Sequence, residues 1–132
     1  MDDAMNGIGI SDSRYQSMID QLTVSVFNNG FNGLYVYNHD WNKELDRTMI
    51  WWVQSEAMVG FYNYYQKTKL PQYLKAVETI WDTIQKFLVD PRPEGEWYWS
   101  VDESGKPNTD RGMAELWKTP YHNARAIIEL SE

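Results

Sequence analysis

The 132-residue sequence contains no cysteine. Without thiols it has no disulfide framework, no thiolate metal site and no cysteine nucleophile. Histidine is also scarce, since His39 and His122 are the only two. Two imidazoles leave little room for a histidine-rich metal centre. Glycine-rich phosphate loops, HExxH metal motifs and nucleophile elbows are missing as well. These absences exclude several large classes of enzyme.

Basic residues are too few for a protein that binds polyanions. The sequence has 12 Lys and Arg against 19 Asp and Glu, a net charge of -7. Nucleic-acid phosphates and anionic membrane surfaces both attract the opposite balance. A run of the ~20 apolar residues needed for a membrane span is missing, and the first residues lack the basic and apolar regions of a signal peptide. We therefore predict a soluble cytoplasmic protein with no nucleic-acid and no membrane partner.

Aromatic residues, by contrast, are abundant. Seven Trp, nine Tyr and four Phe make up 15% of the sequence. Trp and Tyr combine a flat apolar face with a polar tip, which suits them to stacking on sugar rings as well as to filling a core. Composition alone does not decide between these two uses.

The apolar periodicity predicts four helices, at about 13–29, 48–67, 72–89 and 120–132. Residues 1–12 are polar and are interpreted as a flexible N-terminal arm. A short strand is predicted at 34–37. Alternating residues at 97–101, followed by turn residues at 102–105, predict one small β-hairpin. The chain is thus expected to be all-α apart from short strands.

Two side chains on the second predicted helix form the first candidate site. Trp52 and Glu56 are four residues apart and therefore share one helix face. The pair offers a stacking platform and a carboxylate that accepts sugar hydroxyls. The alternative is a Trp packed in the core with Glu56 solvated at the surface.

The second candidate is His122. With Thr119 as N-cap and Pro120 as first helical residue, His122 is the third residue of the last helix. The positive end of the helix disfavours a protonated imidazole, and a neutral histidine can accept a proton. Asn123 and Arg125 add hydrogen-bond donors nearby. The alternative is a histidine that only caps or packs the helix.

The third candidate is the segment 95–107, GEWYWSVDESGKP, whose tryptophans either cover a pocket or pack the hairpin. Its acidic residues resemble a glycosidase carboxylate pair, but such a pair needs a fixed separation. Solvated turn residues are the better interpretation. The acidic residues in question are Glu96, Asp102 and Glu103 of the segment and Glu94, which directly precedes it.

Three segments taken together resemble the N-acylglucosamine 2-epimerase superfamily, and most closely its cellobiose 2-epimerase branch. They are WWVQSEAMVGF (51–61), GEWYWSVDESGKP (95–107) and LWKTPYHNARAIIE (116–129). The similarity runs from about residue 33 to the end, and the HNAR at 122–125 favours the cellobiose branch. It implies an (α/α)6 barrel and epimerisation of an unmodified mono- or disaccharide at carbon 2. It also implies two acid/base histidines and no metal or other cofactor.

The resemblance also assigns roles to individual residues. It implies that His122 is catalytic. It implies a substrate-binding role for Trp52, Glu56, Trp117, Tyr121, Asn123 and Arg125.

One family feature is missing from this sequence. The second catalytic histidine of the family lies in a Gly-His-x-x-Glu motif, which this sequence lacks and His39 does not match. We expect residues 13–132 to form the C-terminal segment of the barrel, with four helices in two outer–inner hairpins. We predict an enzyme fragment that is inactive without the missing helices, completed by a homo-oligomer or by a complementary N-terminal polypeptide.

Two other interpretations remain open. One is a noncatalytic carbohydrate-binding or interaction module derived from the same fold. The other is a piece of another (α/α)6 enzyme, such as a glycoside hydrolase.

Overall fold

The computed structural model describes residues 12–39, 45–93, 95–112 and 114–131. The predicted arm at 1–12 therefore lies outside the described residues except for Asp12. The described part holds four α-helices. They are α1 (Ser13–Asn29), α2 (Trp51–Thr68), α3 (Pro71–Thr83) and α4 (Tyr121–Ser131), with α3 continuing as a π-helical segment, Ile84–Leu88. The prediction of four helices in a mainly α fold is confirmed.

The starts of the helices follow local chemistry. Asp12 caps α1 by accepting the backbone N–H of Arg14 at 2.9 Å. Pro71 is the first residue of α3, where its missing N–H costs no hydrogen bond. The predicted start of α4 is wrong by one residue. The Ala124 N–H donates to the Pro120 carbonyl at 2.9 Å, so Pro120 is the N-cap and His122 the second helical residue.

Four short strands form two antiparallel sheets in the described residues. Strand β1 (Asn38–His39) pairs with β2 (Leu45–Asp46), and β3 (Met49–Ile50) pairs with β4 (Ser100–Val101). The predicted strand at 34–37 is displaced along the chain to β1, which begins at Asn38. Helix α2 begins at Trp51 rather than at the predicted residue 48, because Met49 and Ile50 are extended and pair with β4.

The predicted hairpin turn at 102–105 is present. The Gly105 N–H donates to the Asp102 carbonyl at 3.0 Å, and Val101 lies opposite Pro107. Gly105 has a φ of +85°, a conformation that favours glycine. The main partner of β4, however, is the distant strand β3, which joins this turn to the start of α2.

The core surrounds α2, which packs against α1, α3 and α4. Met58 and Phe61 of α2 belong to the same buried core as Ile80 of α3, and all three side chains are at most 1% exposed. Helix α1 has no buried residue; it contacts the core through Phe27, whose ring centroid is 4.5 Å from that of Tyr73. None of the described helices is both long enough and apolar enough to cross a membrane.

Candidate active site

The first turn of α4 brings His122 against Glu56 of α2. The imidazole Nδ1 lies 2.7 Å from Glu56 Oε1, and each side chain is about one third exposed, at 33% and 34%. A carboxylate only accepts hydrogen bonds, so a neutral His122 must donate Nδ1–H to it. The Nε2 atom then carries a lone pair. The pair therefore presents an oriented proton acceptor.

Arg125 engages the second oxygen of the same carboxylate. Its Nη1 donates to Glu56 Oε2 at 2.8 Å, and its Nε donates to Glu129 Oε1 at 2.7 Å. Glu129, Arg125, Glu56 and His122 thus form a chain of alternating charge that ends on the imidazole. Both Glu56 oxygens are engaged, which fixes the plane of the carboxylate.

Three aromatic rings surround His122. The ring centroids of Trp51, Trp52 and Tyr121 lie 5.5, 6.0 and 5.1 Å from that of the imidazole. Trp51 is only 1% exposed, whereas Trp52 is 44% and Tyr121 61% exposed. Trp51 therefore supports the histidine from the protein interior, and Trp52 and Tyr121 offer aromatic surface to a ligand.

Trp117 is placed differently from the other predicted site residues. Its side chain is 83% exposed. In the part of the chain that the structure describes, no ring contact joins it to His122. Its predicted role in binding sugar stays a prediction.

A second carboxylate, Glu96, lies behind the first turn of α4. It accepts hydrogen bonds from Lys118 Nζ and Asn123 Nδ2. Lys118 also donates to the Trp97 carbonyl at 2.6 Å. The Lys118 side chain is 1% exposed, and burial lowers its pKa to about 8.

The sequence does not predict this cluster. Its pattern indicates a solvated turn residue at Glu96 and no role for Lys118, because neither residue lies in a periodic pattern. The same interpretation is correct for Asp102, which accepts the backbone N–H groups of Ser104 and Lys106. Asn123 is 7% exposed, and its amide nitrogen donates a hydrogen bond to Glu96. Its role in binding sugar stays a prediction.

Two open cavities border Glu56. One of about 590 Å³ is lined by Trp52, Val53 and Leu22 among others, and lies between α1 and α2. The other, of about 270 Å³, is lined by Arg125 and Asp20. Glu56 is therefore accessible from the α1 side while it holds His122. Glu94 and the side chain of His39 lie outside the described residues.

The family model of N-acylglucosamine 2-epimerase (GlcNAc 2-epimerase) matches residues 16–126. The chain belongs to the N-acylglucosamine 2-epimerase family. Among curated relatives, it is 51% identical over 86 residues to a cellobiose 2-epimerase of Dictyoglomus turgidum, covering 65% of this chain. It is 39% identical over 87 residues to a cellobiose 2-epimerase of Ruminococcus albus, covering 66% of this chain. The chain spans 22% of the length of each of these relatives.

Solved structures of this family share the fold. A cellobiose 2-epimerase from Bacillus thermoamylovorans superposes with a TM-score of 0.91 at 44% identity, covering 98% of this chain and 33% of the solved one. A sugar epimerase from a ruminal bacterium gives 0.90 at 32% identity, covering 98% of this chain and 34% of its own. The four helices thus correspond to part of an (α/α)6 barrel, which confirms the predicted fold class and family.

Proposed function

We propose that this chain contributes one acid/base histidine, His122, to epimerisation at carbon 2 of a reducing-end sugar, with a β-1,4-disaccharide such as cellobiose as substrate. The contact between His122 and Glu56 supports this proposal best, because it orients the imidazole beside two exposed aromatic rings. Membership of the epimerase family supplies the reaction class.

In the proposed reaction the sugar is in its open-chain form. His122 Nε2 removes the proton from carbon 2, and the electron pair of that C–H bond forms an enediolate with the carbonyl at carbon 1. Glu56 stabilises the imidazolium that results, as the carboxylate does in other His–carboxylate pairs. A proton returned to the opposite face of carbon 2 completes the inversion, and return to the same face restores the substrate.

Inversion by two separate groups needs a second acid/base group on the other face of carbon 2. His39 does not match the Gly-His-x-x-Glu motif of the family. We therefore expect the second group to come from polypeptide beyond these 132 residues, and the 132-residue chain to be inactive by itself. Identical copies would repeat His122 without adding that motif, so a complementary N-terminal polypeptide is the favoured partner. The cytoplasmic location also stays a prediction.

Exposed apolar side chains support a need for further helices. Leu22 and Val26 of α1 are 56% and 38% exposed, and Ile127 and Ile128 of α4 are 49% and 59% exposed. Apolar faces of this kind usually mark an interface. Helices α1 and α4 lie on either side of α2. Further helices packed on their exposed faces would therefore extend the barrel in both directions.

A chimera tests the proposal directly. The matching third of the Bacillus thermoamylovorans enzyme is replaced by this chain, and cellobiose is followed by ¹H NMR in D₂O. We expect a reducing-end mannose signal, with deuterium incorporated at carbon 2. His122→Asn should lower the rate by ~10²–10⁴-fold, the usual contribution of an acid/base group. His39→Asn is the matched control and should leave the rate unchanged.

Two results would contradict the proposal. A His122→Asn chimera as active as the parent chimera would show that His122 is not an acid/base group of the reaction. Cellobiose turnover by the 132-residue chain alone would show that no further polypeptide is needed.

A noncatalytic sugar-binding module is the second candidate, favoured by the exposure of Trp52 and Tyr121. Titration with cellobiose, lactose and mannose, read by Trp fluorescence, tests this candidate. A saturable change in this chain, combined with an inactive chimera, would favour it over the epimerase.

A further inference from the structure

We propose that Glu96 and Lys118 are positioning residues for His122, holding the first turn of α4 so that the imidazole stays on Glu56. The proposal deepens the function proposed for His122 and rests on it. Neither residue borders the cavities beside Glu56. They act through Asn123 and Trp51, which lie between them and the histidine.

The first link runs through Asn123. His122 and Asn123 are consecutive residues at the start of α4, so their side chains diverge by about 100° around the helix axis. Glu56 holds the first side chain and Glu96 holds the second. Because the two carboxylates come from different elements, α2 and the loop before β4, the turn is held from two directions.

Asn123 depends on Glu96 for its orientation. The amide is 7% exposed, and its Oδ1 has no hydrogen-bond partner among the described residues. The bond from Nδ2 to Glu96 therefore sets which way the amide faces.

The second link runs through Trp51. The Lys118 ammonium lies 5.0 Å from the centroid of the indole ring, within cation–π range. The same indole meets the imidazole of His122 edge to face at 5.5 Å. Lys118 thus fixes the ring against which His122 packs. Its charge is compensated by Glu96 and by the Trp97 carbonyl, which a buried ammonium requires.

The tautomer of His122 reports this positioning without any sugar. The full 132-residue chain is labelled with ¹⁵N-histidine, and the Nδ1 and Nε2 shifts are recorded at about pH 8, above the ordinary range of histidine titration. The shifts distinguish the two neutral tautomers from the imidazolium. His39→Gln assigns the two imidazoles, since the sequence has only these two. In the parent chain we expect the Nδ1–H tautomer that Glu56 selects.

Glu96→Gln should weaken that selection. The substitution loosens the first turn of α4 and so weakens the hydrogen bond from His122 to Glu56. Losing the net contribution of that bond lowers the tautomer ratio by about tenfold. Glu96→Asp, which retains the charge, should restore part of it. Asp90→Asn is the matched control, because Asp90 is buried in the same loop and its side chain binds Arg92 instead. We expect the control to keep the parent ratio.

A second variant covers the case in which Glu96→Gln does not fold. Glu96→Gln combined with Lys118→Met leaves no unpaired buried charge, which favours folding. It also removes the ammonium over Trp51, so the ratio should again fall by about tenfold.

A tautomer ratio equal to that of the Asp90→Asn control, in a folded variant, would overturn the proposal. An inactive chimera leaves this readout unaffected, because no sugar is present. An unchanged tautomer ratio in the Glu96→Gln chain, together with an active chimera, would reject the positioning role while leaving the chemistry of His122 in place.

Discussion

Replacing Lys118 by Met should change how the stability of the protein depends on pH. Burial lowers the pKa of Lys118 to about 8, from the ordinary 10.5. In the unfolded chain the ammonium regains the ordinary value. Between the two values the unfolded state binds more protons than the folded state, so the free energy of unfolding rises with pH. The penalty of the buried charge is fully present below about pH 8 and is relieved as Lys118 loses its proton.

The size of the effect follows from these two pKa values. Integrating the linkage relation from about pH 7 to about pH 9.5 gives a rise of about 2 kcal/mol, taken relative to Lys118→Met. The side chain is 1% exposed, so solvent screening does not reduce the figure. Loss of the ion pair with Glu96 shifts the whole curve of the variant, but carboxylates have finished titrating well below this window. Urea unfolding followed by Trp fluorescence measures the difference at each pH.

The control is Lys67→Met, which removes an ion-paired lysine that is 44% exposed. We expect its difference from the parent to stay flat over the same window, because solvent screens an exposed pair. A flat difference for Lys118→Met would refute the reasoning. It would mean that Lys118 is no more costly to protonate in the fold than in the unfolded chain.

Three further predictions concern the site, the loop and the core. Glu56→Gln in the chimera should lower the rate of cellobiose epimerisation by about 10²-fold, measured by NMR, because it weakens stabilisation of the imidazolium; a rate equal to the parent would contradict this. Hydrogen bonds from Arg92 lower the pKa of Asp90 to about 2. The ionised Asp90 therefore stabilises the fold above the ordinary pKa of 3.8, and this contribution is lost as pH falls through about 2. Asp90→Asn should therefore unfold less steeply with acid in near-UV circular dichroism, and an equally steep transition would argue against it. Ile80→Ala, at a side chain that is 0% exposed, should cost about 2–5 kcal/mol in urea unfolding; a loss under about 1 kcal/mol would mean that the core refills the space.

The chain of charges from Glu129 to His122 explains how one helix both carries and supports the imidazole. Arg125 and Glu129 lie three and seven residues after His122 on α4, so all three share one face. Glu56 reaches this face from α2. The proposed proton acceptor is thus built where two helices cross, and its geometry depends on their packing.

Much of the fold was predictable because periodicity and punctuation are local. Apolar spacing predicts a helix at 13–29, and α1 has the same bounds. Pro71 favours the first turn of a helix, and α3 begins there. The bounds of α2 were less predictable. Met49 and Ile50 pair with Val101 and Ser100, residues about fifty positions away, and no local pattern records that pairing.

The sequence by itself determined the four helices, the family and the nomination of His122, Trp52 and Glu56, because motifs and apolar spacing are written in the order of residues. Tertiary structure alone decided that His122 Nδ1 meets Glu56, 66 residues apart, and that Glu96 joins Lys118 to Asn123. It also separated Trp51, buried behind the histidine, from Trp52, exposed beside it. The physical reason is the same in each case. Contacts between distant elements are fixed by how helices pack, and adjacent residues on one helix face different surroundings.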